Sequence, residues 1–306
     1  MLLVSLSISV VTDVRAVDST QNNLDRAVSY LRNVAYNSSL HLCREAPRVA
    51  PNVYWIASDN MLAFKALEPY DAQLSSMISS ELVRLATVYS LPISRDGIPL
   101  SLRYDVVVRD SDTLDMPPRN VTHLTLYNDS YLLRYDIANG TGRFDNWAGF
   151  ADLLLLVALS DYNSGDTVNA IGNFTTAANM WDGVGLRDLA FNQSYGEGQA
   201  PGNPHAYATY KLGLLLYVSG KLGRHLTFET DVANRIWSMQ NQTNGGIFTH
   251  IMPDGGSGTS DTNTETTAMV ILGITSITIP EFDLPVLMLC ISVLLLAVIV
   301  RRIRHQ

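Results

Sequence analysis

From Leu284 to Val300 the chain carries no charged residue, and Arg301, Arg302, Arg304 and His305 follow at once. A helix rising ~1.5 Å per residue covers ~26 Å over that run, close to the ~30 Å hydrocarbon thickness of a bilayer. A helix this apolar either crosses a membrane or is buried on every side. Crossing is the expectation, with residues 284–300 in the bilayer as a C-terminal transmembrane helix. The arginines would stay on the cytoplasmic side, which puts residues 1 to about 280 on the extracellular face of a single-pass protein.

The amino end agrees with that address. Leu2 to Val11 is apolar and leads to a small residue at Ala16, which suits a secretory signal over 1–17, although no Lys or Arg precedes the apolar run. Asn37, Asn120, Asn128, Asn139, Asn173, Asn192 and Asn241 each begin an Asn-x-Ser/Thr sequon without proline, as an external glycoprotein would. Asn and Ser are also ordinary turn residues, so some of these sequons are expected to be structural. The remaining chain divides into an ectodomain over 18–277 and a tail over 278–306.

The tail resembles the PEF-type sorting tails of archaeal surface proteins. Pro280, Glu281 and Phe282 match the motif, the apolar run supplies the helix, and the arginines supply the basic end. The resemblance implies a sorting protease acting around Pro280–Phe282; retention of the helix as a plain anchor is the alternative.

With 47% hydrophobic residues the ectodomain can bury a sizeable core, and a net charge of -8 leaves no broad basic surface, so nucleic acid is not an expected partner. Cys43 and Cys290 are the two cysteines, and the second lies in the apolar run, so no disulfide framework is available. No cofactor or metal is implied.

Apolar spacing of three and four predicts helices over 19–42, over 61–67 with Ser58 or Asp59 as cap, and from Asp71 through Tyr89. Residues 92–142 read as a β-rich insertion, with β-branched and aromatic residues in partial alternation and turn chemistry at Asn139-Gly140 and Thr141-Gly142. Helices resume over Trp147–Asp161, Thr167–Met180, His205–Leu222, Phe228–Asn241 and Thr264–Ile274. Thr262 and Glu265 are spaced as a capping box for the last. The expected fold class is mainly α: helical hairpins stacked into a partial or complete α/α toroid, because one hairpin cannot bury its apolar face alone.

Trp237, Gln242, Gly246 and Phe248 resemble a degenerate QW repeat of the terpenoid-cyclase and prenyltransferase toroids, and the loops bearing Trp and Asp are also similar to those of six-hairpin glycosidases. Phe248 stands where the repeat prefers Trp. Cyclase chemistry is disfavoured, because no cluster of adjacent aspartates and no Asp/Cys/His set spaced for zinc occurs.

A toroid presents its loops at one end. The expected catalytic carboxylates are Asp59, Asp145, Asp182 and Glu197, and the expected ligand-contacting residues are Trp55, Trp147, Trp181, His205 and His250. Aromatic faces stack on sugars and paired carboxylates serve as acid and base, which points to carbohydrate as the ligand. The competing expectation is a non-catalytic surface module, in which Asp59 caps a helix, Asp145 and Asp182 shape turns and Glu197 is solvated.

Overall fold

A computed structural model describes residues 20–56, 58–91, 93, 121–128, 130–138, 145–192, 205–258 and 260–278. The signal segment, Glu197 and the apolar run with its PEF motif lie outside the described residues. So does most of the β-rich insertion.

The described chain is mainly helical, with small sheets. Helix α1 covers 20–30 and continues as a π-helical turn over Leu31–Ala35. The predicted continuation to 42 is not formed. Asn37 accepts a hydrogen bond from the Ser39 N–H at 3.0 Å, turning the chain into a hairpin of β1 (Tyr36–Asn37) and β2 (Leu42–Cys43). Strand β3 (Val53–Trp55) leads to α2 (Asp59–Leu67) and then α3 (Ala72–Val88), whose cap is Asp71, accepting from Leu74 N–H at 3.0 Å.

Of the insertion, β4 (Val121–Asn128) and β5 (Tyr131–Ala138) form an antiparallel hairpin, and β3 adds in parallel to β5. The predicted helix from Trp147 starts later: Trp147–Gly149 is a 3-10 turn, Phe150 is extended, and α4 runs over Ala151–Asn163. Helix α5 (Thr167–Ala178) is capped by Asp166. Residues Tyr207–Ala208 form β6 instead of a helical turn, so α6 begins at Tyr210 and ends at Leu222, before the left-handed Gly223. A single helical turn at Leu189–Asn192 precedes β6, and α7 (Glu229–Ser238), β7 (His250–Ile251), which pairs with β6, and α8 (Thr264–Thr278) follow α6.

The even-numbered helices are apolar nearly all round, and the odd-numbered ones carry an apolar stripe on one side. The consequence is two layers. Helix α8 packs on α6 and α2, α6 also packs on α4, and α3 and α5 lie outside against α2 and α4. The inner helices run parallel. Gly273 packs on Gly213 and Ser276 on Gly220, the same order along both chains of α8 and α6. Tyr70, just past α2, reaches Thr275 near the end of α8 at 2.9 Å, and the start of α4 meets the start of α6 through Asp152 and Lys211. All four inner helices therefore start at one end of the molecule.

Among the described residues no helix is long and apolar enough to cross a membrane.

Candidate functional site at the starts of the inner helices

Each inner helix begins with a charged side chain in its first turn: Asp59 in α2, Asp152 in α4, Lys211 in α6 and Glu265 in α8. Burying charge is costly unless it is paired. The four are handled in two ways.

Asp152 and Lys211 belong to a closed network. Lys211 Nζ stands 2.6 Å from Asp188 Oδ2 and 3.1 Å from Asp152 Oδ1, with all three side chains buried. Tyr210 donates its hydroxyl to Asp152 at 2.5 Å, and the Asp188 carboxylate accepts from the N–H groups of Ala151, Ala190 and Phe191. Burial works against the charge on Asp152, but the Lys211 ammonium and the Tyr210 hydroxyl more than offset it and hold the carboxyl below its ordinary range. One ammonium shared by two carboxylates, with hydrogen bonds from Tyr210 and three backbone N–H groups, ties α4 to α6. The sequence carried a signal for it that went unused: a single Lys and a single Asp at the heads of otherwise apolar helices.

Asp59 has no such cation. It is 3% exposed, and one oxygen accepts from the Ser58 hydroxyl at 3.0 Å while Oδ2 has no hydrogen-bond partner among the described residues. Burial, with the negative charges of Glu265 and Glu45, pushes its carboxyl well above the ordinary value. Asp59 is not the cap of α2, nor does the Ser58 side chain cap it. Glu45 is brought there by backbone: Thr264 donates its N–H to the Glu45 carbonyl at 3.0 Å and its hydroxyl to the Arg44 carbonyl at 2.5 Å. The predicted capping box is displaced, since Asn263 caps α8 by accepting from Thr266 N–H at 2.9 Å, and Thr262 and Glu265 are left for other partners. The sequence reading gives Glu45 no role and Glu265 only that of a helix cap.

Hydrogen bonds tie the walls of this site together. Asn60 clamps Cys43 and Trp55 to the head of α2, accepting from Cys43 N–H at 2.6 Å and donating to the carbonyls of Cys43 (3.0 Å) and Trp55 (2.7 Å). The Trp55 ring carries the Arg134 guanidinium 5.4 Å from its centre. Cys43 is fully buried and its thiol is pushed up by that burial, so it is no nucleophile in this state.

Asp182 is bonded to Tyr207, His205 and Tyr207 both contact the Phe191 ring, and His250 lies opposite Ala208 in the β6–β7 pair. The Tyr207 hydroxyl donates to Asp182 at 2.5 Å, and Asp182 also accepts from the N–H groups of Val184 and Gly185. Its carboxyl is held low despite burial, chiefly by those bonds. Asp182 therefore shapes a turn. Trp181 stacks on Phe228 at 5.8 Å, and His205 bonds the Phe191 carbonyl at 3.1 Å. His250 accepts from or donates to the Thr249 hydroxyl at 2.8 Å, its Nε2 has no partner among the described residues, and burial lowers its pKa to about 4. Asp145 lies in an exposed turn ahead of the left-handed Asn146, and Trp147 packs half-buried against the core.

The loop after α7 links the two neighbourhoods. Phe248 pairs with Thr262, Thr249 N–H reaches the Asp261 carbonyl at 2.9 Å, and Thr209 N–H reaches the Thr249 carbonyl at 2.9 Å. The buried glutamine of this loop is Gln240, donating to the carbonyls of Asn23 (2.8 Å) and Gly245 (2.9 Å). Gln242 instead forms an exposed clasp with Arg26 at 2.8 Å. Among the described residues no group of three or more His, Cys, Asp or Glu side chains is placed to hold a metal ion. Comparison of the chain with protein-family models, with curated proteins and with solved structures finds no match to any of them.

Proposed function

We propose that this chain is the ectodomain and anchor of a membrane-held surface protein, a partial α/α toroid that binds and processes carbohydrate at the starting ends of its inner helices. Asp59 is the proton donor in this reading, and Glu265 or Glu45 is the carboxylate opposite it. The observation that carries it is the buried Asp59 carboxyl, with one oxygen unpartnered and two partly exposed glutamates beside it. A carboxyl whose proton is held more tightly by burial and by neighbouring negative charge, with a second carboxyl group beside it, is the pairing that glycoside hydrolysis uses. Trp55, clamped to the same helix head, supplies an aromatic wall. The alternation of apolar and amphipathic helices supports the toroid, and the composition of Leu284–Val300 with its arginines supports the anchor. The Pro280–Phe282 motif supports processing of the tail by a sorting protease.

The test is release of reducing ends from a polysaccharide panel by the full chain, with Asp59→Asn and Glu265→Gln beside it. Turnover by the wild type and its loss in Asp59→Asn is the expected result. Full turnover by Asp59→Asn removes the proposal. A non-catalytic structural or adhesion module is the second reading, favoured by Asp182 and Trp181, whose side chains are engaged with the protein itself. An intact fold with no turnover of any polysaccharide would select it.

A further inference from the structure

Beside the head of α8 lies a cleft of about 400 Å³, bounded by the loop after β2 and the loop after α7. Phe248, Asn241, Asn244, Thr262 and the pair Arg48–Asp261 line it. We infer that this cleft binds one neutral pyranose ring of a glycan, an inference that rests on the carbohydrate reading and assigns it a binding subsite.

Charge argues for a neutral ligand. Asp261 already faces Arg48 at 3.2 Å, so the lining holds no unmatched cation to recruit a phosphate or carboxylate. The remaining polar capacity consists of hydrogen-bond donors and short-range acceptors. Arg48 keeps its two terminal nitrogens without a hydrogen bond among the described residues. The Asn241 side-chain oxygen accepts from Thr243 and Asn244 N–H, which leaves its side-chain nitrogen as a donor. Asn244 gives its amide to the Thr262 hydroxyl over a long 3.3 Å, a bond that a sugar hydroxyl can replace. Phe248 is half-buried and adds an apolar face against which the C–H side of a pyranose packs. The volume is at the small end of ligand sites, the size for a ring or two.

Tyr30 joins this cleft to the proposed acid. It is fully buried, its ring packs against Gly246, and its hydroxyl lies beside Thr262 within the electrostatic reach of Asp59.

Asn241 also begins an Asn-x-Thr sequon, so the same ring has two sources: a separate polysaccharide, or a glycan carried on Asn241 itself. The experiment titrates neutral oligosaccharides of glucose, mannose, galactose and N-acetylglucosamine into the full chain, held in a detergent without a sugar headgroup. Glycopeptide mass at Asn241 is measured on the same sample. Binding that Phe248→Ala and Arg48→Ala each weaken by about tenfold supports the inference with a separate glycan as the source. Arg48 is exposed, so its variant tests the cleft even where Phe248→Ala fails to fold. A glycan found on Asn241, with binding that appears only in Asn241→Gln, supports the attached source. Binding indifferent to both cleft variants overturns the inference, and persisting Asp59-dependent turnover would then leave the proposed function standing. No binding by wild type or by Asn241→Gln overturns the inference, and the turnover assay then decides the proposed function separately.

Discussion

Gly273 rides directly on the main chain of Gly213: a methyl group added at position 273 would stand 2.2 Å from the Gly213 carbonyl oxygen. Backbone cannot yield as a side-chain tip can, so α6 and α8 must spread to admit it. Gly273→Ala is expected to cost about 1–3 kcal/mol. Gly172→Ala in α5, where nothing stands within 4 Å, should instead be neutral or slightly stabilising. Denaturant midpoints of the two variants check this, and equal midpoints would mean that the inner helices do not pack on their glycines.

Lys211→Met removes the ammonium shared by Asp152 and Asp188 and leaves two carboxylates buried against each other. The expected loss is about 3–5 kcal/mol, read by chemical denaturation. The sign of the pH response follows from the depressed carboxyl of Asp152. Its stabilisation is present above the unfolded value of 3.8 and is lost as pH falls from there through the lower folded value. Lys211→Met should lose that acid-side dependence.

Asp59 predicts the opposite slope. Its folded carboxyl lies above the unfolded 3.8, so the native state holds a proton that the unfolded state has released. The contribution is fully present below the unfolded value and is lost as pH rises through the folded one. Asp59→Asn, isosteric and uncharged, should raise the melting temperature at pH 7 and change it little at pH 4. A variant less stable than wild type at pH 7 would contradict the buried, unmatched charge.

His250 acts in an overlapping window with the reverse sign. Its folded pKa of about 4 lies below the ordinary 6.5, so the unfolded state takes up a proton first and stability falls as pH drops from 6.5 toward 4. The imidazole signals of His250 should show no titration between pH 7 and pH 5, as followed by NMR. Because Asp59 and His250 oppose each other there, Asp59→Asn should steepen the acid loss and His250→Asn should flatten it.

Local rules carried the sequence reading where one element decides the outcome. Asp71 caps its helix, apolar spacing of three and four locates most of the helices, and the β-branched residues of 121–138 pair as a hairpin. The reading missed what depends on distant chain. Glu45 reaches Asp59 because Thr264, far along the sequence, grips the backbone of Arg44 and Glu45. The turn at Asp182 was legible locally, whereas the Tyr207 hydroxyl that takes its other oxygen comes from 25 residues further on. The capping box slipped by one residue because an Asn side chain at 263 competes with the Thr at 262 for the same N-terminal role.

The parallel run of the inner layer has a directional outcome. Thr278 closes the fifteen-residue α8, so whatever follows it departs ~22 Å from the helix head where Asp59 and Glu265 meet. If residues 284–300 are seated in lipid, the chain runs toward it from the end of α8 remote from Asp59, so the proposed acid stands a full helix length from the point of attachment.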